Sequence, residues 1–383
     1  MQRWLYLLIL AAPAAVIAEF LHASPLVVFL LAALGLIPLA GLIGLCTEAL
    51  AERLGQSIGG LLNATFGNAA EIIIGLVALT AGLPEVVRAS IAGSIIGNAL
   101  LVQGLSMFYG GWKYRKQRFN SRVAGQYAAM LALAVIGMAI PSLLAVVGEG
   151  MRPGDVIVRG NQLHQISIGV AIILLLCYVA YIAYSVFGLR AHPRDVQPVT
   201  AHEAEAEPEQ HTEASKPATG VFAKFGTLWK GTLWLPILVL ALATAVTAWM
   251  SEVLVGTIEP LTHQIGLNPF FVGLIIIPLV GNAAEHFTAV TSAGRNHMEI
   301  SLAITAGSSI QIALLAAPIL VLVGAIIGVP LDLNFTLLEV ALFGLVAGLH
   351  AIISLDGEST WLEGLLLFAF YLILAVSTFF TPV

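Results

Sequence analysis

The chain has 383 residues, of which 59% are hydrophobic and only 10% charged. Soluble globular chains carry about 25% charged residues, so this composition excludes a soluble enzyme; a mean hydropathy of +0.96 indicates a polytopic membrane protein. A net charge of −6 argues against a nucleic-acid partner, and two cysteines in apolar runs, Cys46 and Cys177, give no disulfide framework.

A membrane-spanning helix needs about 20 apolar residues. Eleven runs meet that length, at 3–21, 25–47, 57–80, 87–110, 123–147, 164–188, 232–254, 268–293, 299–327, 333–354 and 361–380. The first follows Arg3 and resembles a signal peptide, but its length and its ending, Glu19-Phe20-Leu21-His22, favour a retained helix. With the N-terminus inside, thirteen basic residues fall on the inner side, among them Lys113, Arg115, Lys116, Arg118 and Arg122, and three, Arg88, Arg152 and Arg159, fall outside. That bias supports the span count and places the C-terminus outside. The short lead before the first run favours a prokaryotic plasma membrane. One hydrophilic stretch, 190–231, holds four prolines, six acids from Asp195 to Glu213, and His192, His202 and His211. It reads as a solvated cytosolic tether; Pro208 interrupts acids that alternate at i, i+2, so they form no single helical face.

The two halves repeat. Gly67-Asn68-Ala69-Ala70-Glu71 recurs as Gly281-Asn282-Ala283-Ala284-Glu285, an offset of 214. At the same offset, Gly93-Ser94-Ile95-Ile96-Gly97-Asn98-Ala99-Leu100 matches Gly307-Ser308-Ser309-Ile310-Gln311-Ile312-Ala313-Leu314 at five of eight positions. The motifs lie in the third and eighth runs, and an odd separation inverts the second copy in the membrane. Inverted repeats with a site at the bilayer midplane are the architecture of secondary transporters. The chain is therefore read as all-α and integral to the membrane: a leading helix (1–24), a five-helix repeat (25–189), the acidic linker (190–231) and a second, inverted five-helix repeat (232–383).

Glu71 and Glu285 lie inside their runs, where an ionisable group costs at least ~2.5–3.5 kcal/mol and so marks a candidate site. Asn68 and Asn282 precede them by three residues and share their helical face. Gly67 and Gly281 permit close approach or unwinding, and Pro278 adds a break. Carboxylate, amide and carbonyl oxygens suit a hard cation, Ca²⁺ above all. The alternative, a structural pair of protonated glutamic acids, fits two identical motifs poorly. Ser94, Asn98, Ser308, Ser309 and Gln311 are candidate supporting ligands, with small-residue helix packing as their other reading. Gln103 falls on the face opposite Ser94 and reads as packing. His286 reads as a hydrogen-bonding neighbour, Glu48, Glu52, Glu252 and Glu259 as interfacial, and Glu339 and His350 as packed or snorkelling rather than a relay. No HExxH, Walker A or zinc spacing occurs.

Leu62-Asn63-Ala64-Thr65-Phe66 with the first motif, Pro278-Leu279-Val280 with the second and His286, and Ser308 to Leu314 together resemble the calcium/proton exchangers, the cation/proton exchanger branch of the calcium/cation antiporter superfamily. Asp356-Gly357-Glu358-Ser359-Thr360-Trp361-Leu362-Glu363-Gly364 resembles a further stretch of that branch, where Asn is more usual than Thr360. The resemblance covers nearly the whole chain. It implies eleven helices in two inverted repeats, cation and proton binding by Glu71 and Glu285, and Ca²⁺ as transported substrate rather than cofactor. A sodium/calcium exchanger is the alternative, disfavoured by the Asn and Ala around each Glu; a cation channel would normally need an oligomeric ring. A solvated tether carries no chemistry, so deleting Glu203–Glu213 is expected to leave transport largely intact. Complete loss of flux from a folded deletion protein would show otherwise.

Overall fold

The computed structural model describes residues 8–54, 62, 65–149, 160–186 and 234–380; the linker read at 190–231 lies outside them. The first half runs α1 (Ala11–Phe20), α2 (Pro25–Leu54), α3 (Ala69–Thr80), α4 (Pro84–Ile96), α5 (Gln103–Tyr114), β1 (Lys116–Arg118), α6 (Ser121–Glu149) and α7 (Asn161–Val186). The second half runs α8 (Trp234–Gly256), α9 (Ile258–Ile265), α10 (Pro269–Phe271), α11 (Ile277–Gly281), α12 (Ala283–Ala293), α13 (Met298–Gln311), α14 (Ala317–Ile327), α15 (Leu337–Ile353), β2 (Glu358–Thr360) and α16 (Trp361–Phe379). Among the described residues, seven helical stretches are long and apolar enough to cross a membrane, and the pair Pro269–Gly281 and Ala283–Ala293, bent by 64°, makes an eighth if taken as one span. Three more apolar helices, α1, α3 and α15, are shorter. Each of the eleven apolar runs overlaps one of these helices or the bent pair.

The centre of the molecule is a pair of repeat-related helices. The apolar window of Pro84–Tyr114 is 89% buried and that of Met298–Ile327 61% buried, against 28–50% for the other spans. Their first residues are 214 apart. Each contains a π turn, Gly97–Val102 and Ile312–Ala316, whose last residues are again 214 apart, so the repeat reappears as a backbone irregularity. A third π turn, Val272–Ile276, joins α10 to α11. Proline accounts for two of the three. Pro278 and Pro318 have no N–H for the carbonyls of Leu274 and Leu314 four residues back, and their rings crowd those positions.

The carbonyl of Leu274 finds a close neighbour in Gly93. A Cβ on Gly93 would stand 2.6 Å from the Leu274 carbonyl carbon, so α4 and the second half touch backbone to backbone only because this residue is glycine. Gly104 and Gly364 do the same for α5 and α16: a Cβ on Gly104 would lie 2.8 Å from Phe368 N, and one on Gly364 would lie 2.6 Å from Gly104 O. In membranes, where lipid removes the hydrophobic drive between helices, small residues at crossings supply the packing. The large aliphatic residues Leu133, Ile173, Leu176, Leu238 and Ile373 are exposed, as a lipid-facing surface requires.

The extended stretch before α15 is stapled to the first half. Ser142 Oγ donates to Leu333 O at 2.9 Å and accepts from Phe335 N at 2.8 Å, while Ser167 Oγ accepts from Leu333 N at 3.0 Å. His164 Nδ1 lies 2.8 Å from Asp332 Oδ1. Helix α15 then starts with a capping box: Thr336 N and Oγ1 both donate to Glu339 Oε2, and Glu339 N donates back to Thr336 Oγ1. A Leu at Gly364 is expected to force α5 and α16 apart and destabilise by about 1–3 kcal/mol or more, seen as a lowered thermal midpoint in detergent. Gly344→Ala, where the space is open, is expected to leave the midpoint unchanged or raise it.

Candidate functional site

Both Gly-Asn motifs interrupt a helix. Asn68 (φ −102°, ψ 22°) and Asn282 (φ −95°, ψ 7°) adopt nearly the same non-helical backbone, and each stands at the N-cap position of the helix that follows without a side-chain capping bond. Ile72 N donates to Asn68 O and His286 N to Asn282 O, at repeat-related positions. Glu71 and Glu285 thus sit in the first turns of α3 and α12, where unpaired N–H groups and the helix dipole favour negative charge. The 57–80 run does not make one straight helix through Glu71: Gly67-Asn68 form a turn that puts the carboxylate at a helix beginning.

The two motifs pack against one another. A Cβ on Gly281 would stand 3.4 Å from both Cγ and Oε1 of Glu71, so the second motif's glycine makes room for the first motif's carboxylate. Glu285 is near enough for its charge to act on Glu71. Glu71 is buried, whereas Glu285 and Gln311 remain partly exposed.

The asparagines are held from the opposite half. Asn68 Nδ2 donates to Gln311 Oε1 at 2.5 Å. Asn282 Nδ2 donates to Ser94 Oγ at 3.3 Å and to Pro278 O at 3.2 Å. Both amides therefore spend N–H on their neighbours, and both Oδ1 atoms stay buried without a donor. The same holds for Glu71 Oε2 and Glu285 Oε2. Buried oxygens normally find partners; four unpaired carboxylate and amide oxygens from two repeat-related motifs are the ligand type that a hard cation takes. Ser308 Oγ approaches Glu285 without closing a hydrogen bond of full geometry.

The remaining candidates divide. Asn98, in the first π turn, lies with Oδ1 3.2 Å from His286 Nε2, beside the second carboxylate. Ser309 Oγ donates to Thr305 O of its own helix at 2.9 Å, and Gly67 lies in the turn before Asn68. Gln103 donates to Met107 Sδ within the core, as packing requires. Glu48, Glu252 and Glu259 are exposed. Glu339 closes the α15 capping box, and His350 lies eleven residues on, about 16 Å at 1.5 Å per residue, so the two make no direct relay. The cap had a sequence signal, Thr336-x-x-Glu339, as did Thr360-x-x-Glu363 at the start of α16. Lys113 and Gln117, whose side chains reach the far end of α12, had none.

Residues 24–187 and 235–380 match the family described as sodium/calcium exchanger protein. The chain belongs to that family. This exchanger-family chain is 41% identical over 386 residues to the Ca(2+)/H(+) antiporter of Synechocystis sp., covering 98% of this chain and 96% of that one. It is 39% identical to the Ca(2+)/H(+) antiporter ChaA of Bacillus subtilis, covering 99% of each. The structure of native YfkE superposes with a TM-score of 0.78 at 35% identity, over 99% of this chain and 100% of that one. The resemblance to calcium/proton exchangers drawn from the motifs is thus upheld across the whole length.

Removing one neutral oxygen should weaken a hard-cation site without emptying it. Asn68→Ala and Asn282→Ala are each expected to lower Ca²⁺ affinity of the purified protein about tenfold, measured by calorimetry. Affinity unchanged in both would remove the amides from the site.

Proposed function

We propose that this exchanger-family protein is a secondary antiporter that moves Ca²⁺ out of the cytosol against entering protons, with Glu71 and Glu285 as the shared cation and proton sites. The observation that carries the reading is the convergence of two carboxylates 214 residues apart, each flanked by an amide oxygen that lacks a donor. The relatives named Ca(2+)/H(+) antiporter, matched over nearly their full length, support the choice of ions.

The mechanism follows from charge. Two ionised carboxylates in a poorly solvated site repel one another and lose hydration. A divalent cation neutralises both at once, and so do protons, but neither carboxylate can hold both. If only neutralised sites interconvert between inward- and outward-facing forms, Ca²⁺ and protons must alternate and leak is suppressed. Asn68 and Asn282 supply neutral oxygens to the cation. Gln311 and Ser94 fix those amides, and Gly67 and Gly281 let the motifs meet. Ser308 and Asn98 complete the polar lining, and Ser309 lies against it with its hydroxyl proton committed to its own helix.

In the same reading the eight long spans and the three shorter apolar helices make eleven crossings. These are one leading helix (1–24) and two inverted sets of five (25–189 and 232–383). The N-terminus and the 190–231 linker are cytosolic, the C-terminus is outside, and the home membrane is a prokaryotic plasma membrane.

Glu71→Gln and Glu285→Gln test the proposal. Glutamine keeps the size and one oxygen but is neutral at every pH, so the anionic ligand and the proton carrier vanish together. Each variant is expected to lose coupled exchange in proteoliposomes with an imposed pH gradient, while insertion and thermal stability hold or improve, because an amide is cheaper in the membrane than a carboxylate. Exchange near the wild-type rate in either variant would end the paired-carboxylate mechanism.

A further inference from the structure

The stretch Asp356–Gly364 and the basic segment after α5 contribute nothing to the cation site, yet they pair with each other, and the basic segment reaches the end of the helix that carries Glu285. β1 and β2 pair antiparallel, with Lys116 opposite Thr360, Gln117 opposite Ser359 and Arg118 opposite Glu358. Glu358 bridges Lys116 and Arg118 across this ribbon. Between α5 and β1, Arg115 takes φ 65° and ψ −50°, a conformation that disfavours any residue with a Cβ and is kept only where its surroundings impose it. This elbow reverses the chain and sets Gln117 against the end of α12.

There the end of α12, closed by its own backbone through Asn296 N to Ala293 O and His297 N to Ser292 O, also receives three side-chain donors from the first half. Gln117, 1% exposed, gives Nε2–H to Ala293 O at 2.8 Å and to Asn296 Oδ1 at 3.1 Å. Lys113 Nζ donates to Gly294 O at 2.8 Å, and the Tyr114 hydroxyl donates to the same oxygen at 3.2 Å. A cation at a helix C-terminus also complements the dipole. Gly110 and Gly294 clear the space: a Cβ on the first would strike the Gln117 amide, and one on the second would strike the Tyr109 ring.

Among the described residues, the repeat-related end of α3 has no such grip. Its closing bonds, Gly82 N to Leu79 O and Leu83 N to Ala78 O, repeat those of α12 at the offset of 214, so the difference lies in the side-chain donors alone. The residues 214 beyond Lys113–Gln117 are Ile327, Gly328, Val329, Pro330 and Leu331, which have no side-chain donor to offer. Two halves that match at the carboxylates therefore differ in how each carboxylate-bearing helix is anchored.

We propose that the ribbon is a clamp in which Gln117 and Lys113 act as positioning residues, holding the C-terminal end of α12 and so fixing where Glu285 stands relative to Glu71. The proposal rests on the reading of Glu285 as a cation site. Helix α12 has 11 residues, a rod of about 16 Å, with Glu285 in its first turn and the clamp at its other end. A tilt allowed at one end displaces the other.

The test is exchange kinetics in proteoliposomes at a fixed pH gradient over a range of Ca²⁺ concentrations. Gln117→Ala and Lys113→Met are each expected to raise KM for Ca²⁺ about fivefold to tenfold, as loss of a hydrogen bond to a charged or buried partner does, with the maximal rate within about twofold of wild type. Lys113→Arg keeps a donor and is expected to restore KM. If Gln117→Ala fails to fold, Gln117→Glu replaces the donor with an acceptor at constant size and is expected to raise KM in the same way. An unchanged KM in the folded Gln117 variant and in Lys113→Met would overturn the clamp, and so would a rate loss at constant KM that follows thermal stability. Glu285→Gln is run alongside. If it is inactive while the clamp variants match wild type, only the clamp is wrong; if it is itself active, the cation-site reading falls and the clamp with it.

Discussion

An ionised carboxylate inside a membrane protein has to be neutralised, and here two stand together. A lone charge at that depth costs several kcal/mol, and a second of the same sign adds repulsion that a low-dielectric interior barely screens. Everything near Glu71 and Glu285 is arranged around that constraint. Both carboxylates sit at helix beginnings created by a break at Asn68 or Asn282. Both asparagines commit their N–H groups, to Gln311 or to Ser94 and Pro278, which leaves their Oδ1 atoms buried without a donor. Such a site suits either a divalent cation or protons, and holding both is electrostatically redundant. The proposed coupling of two ion flows is the physical consequence.

The same constraint sets the packing. For the motifs of two halves to share one site, their backbones must come closer than ordinary side chains permit. Gly281 against Glu71 and Gly93 against Leu274 supply that closeness. Prolines and π turns interrupt the inner helices beside it, and the freed backbone groups stay inside the protein rather than in lipid. These departures from regular helix cluster where function is proposed and thin out toward the lipid-facing helices α6, α7 and α16.

The repeat was legible in the sequence because a carboxylate in an apolar run is costly and the same pentapeptide occurs twice. That pairing led directly to Glu71, Glu285, Asn68 and Asn282. The crossed partnership, in which each Asn is held from the other half, was not legible, since it depends on contacts across 188 and 243 residues. The π turns were hidden for a related reason: Pro278 and Pro318 announce a disturbance but not its geometry. Glu339 shows the opposite case. Its Thr336-x-x-Glu339 spacing was a readable helix start, overshadowed by the oddity of an acid in an apolar run. Gln117 and Lys113 left no local trace, because their targets are backbone carbonyls that any sequence could provide.

The halves are alike at the carboxylates and in the backbone bonds that close α3 and α12; among the described residues, side chains from the other half grip the end of α12 and not that of α3. The central claim is that Ca²⁺ and protons compete for the same pair of carboxylates. It is tested most directly by adding Ca²⁺ to the purified protein in weakly buffered detergent solution and following pH. The account predicts that Ca²⁺ binding releases protons, in an amount that falls as the starting pH is raised and that disappears when Glu71 and Glu285 are both replaced by Gln. Saturable Ca²⁺ binding with no proton release at any pH would contradict it.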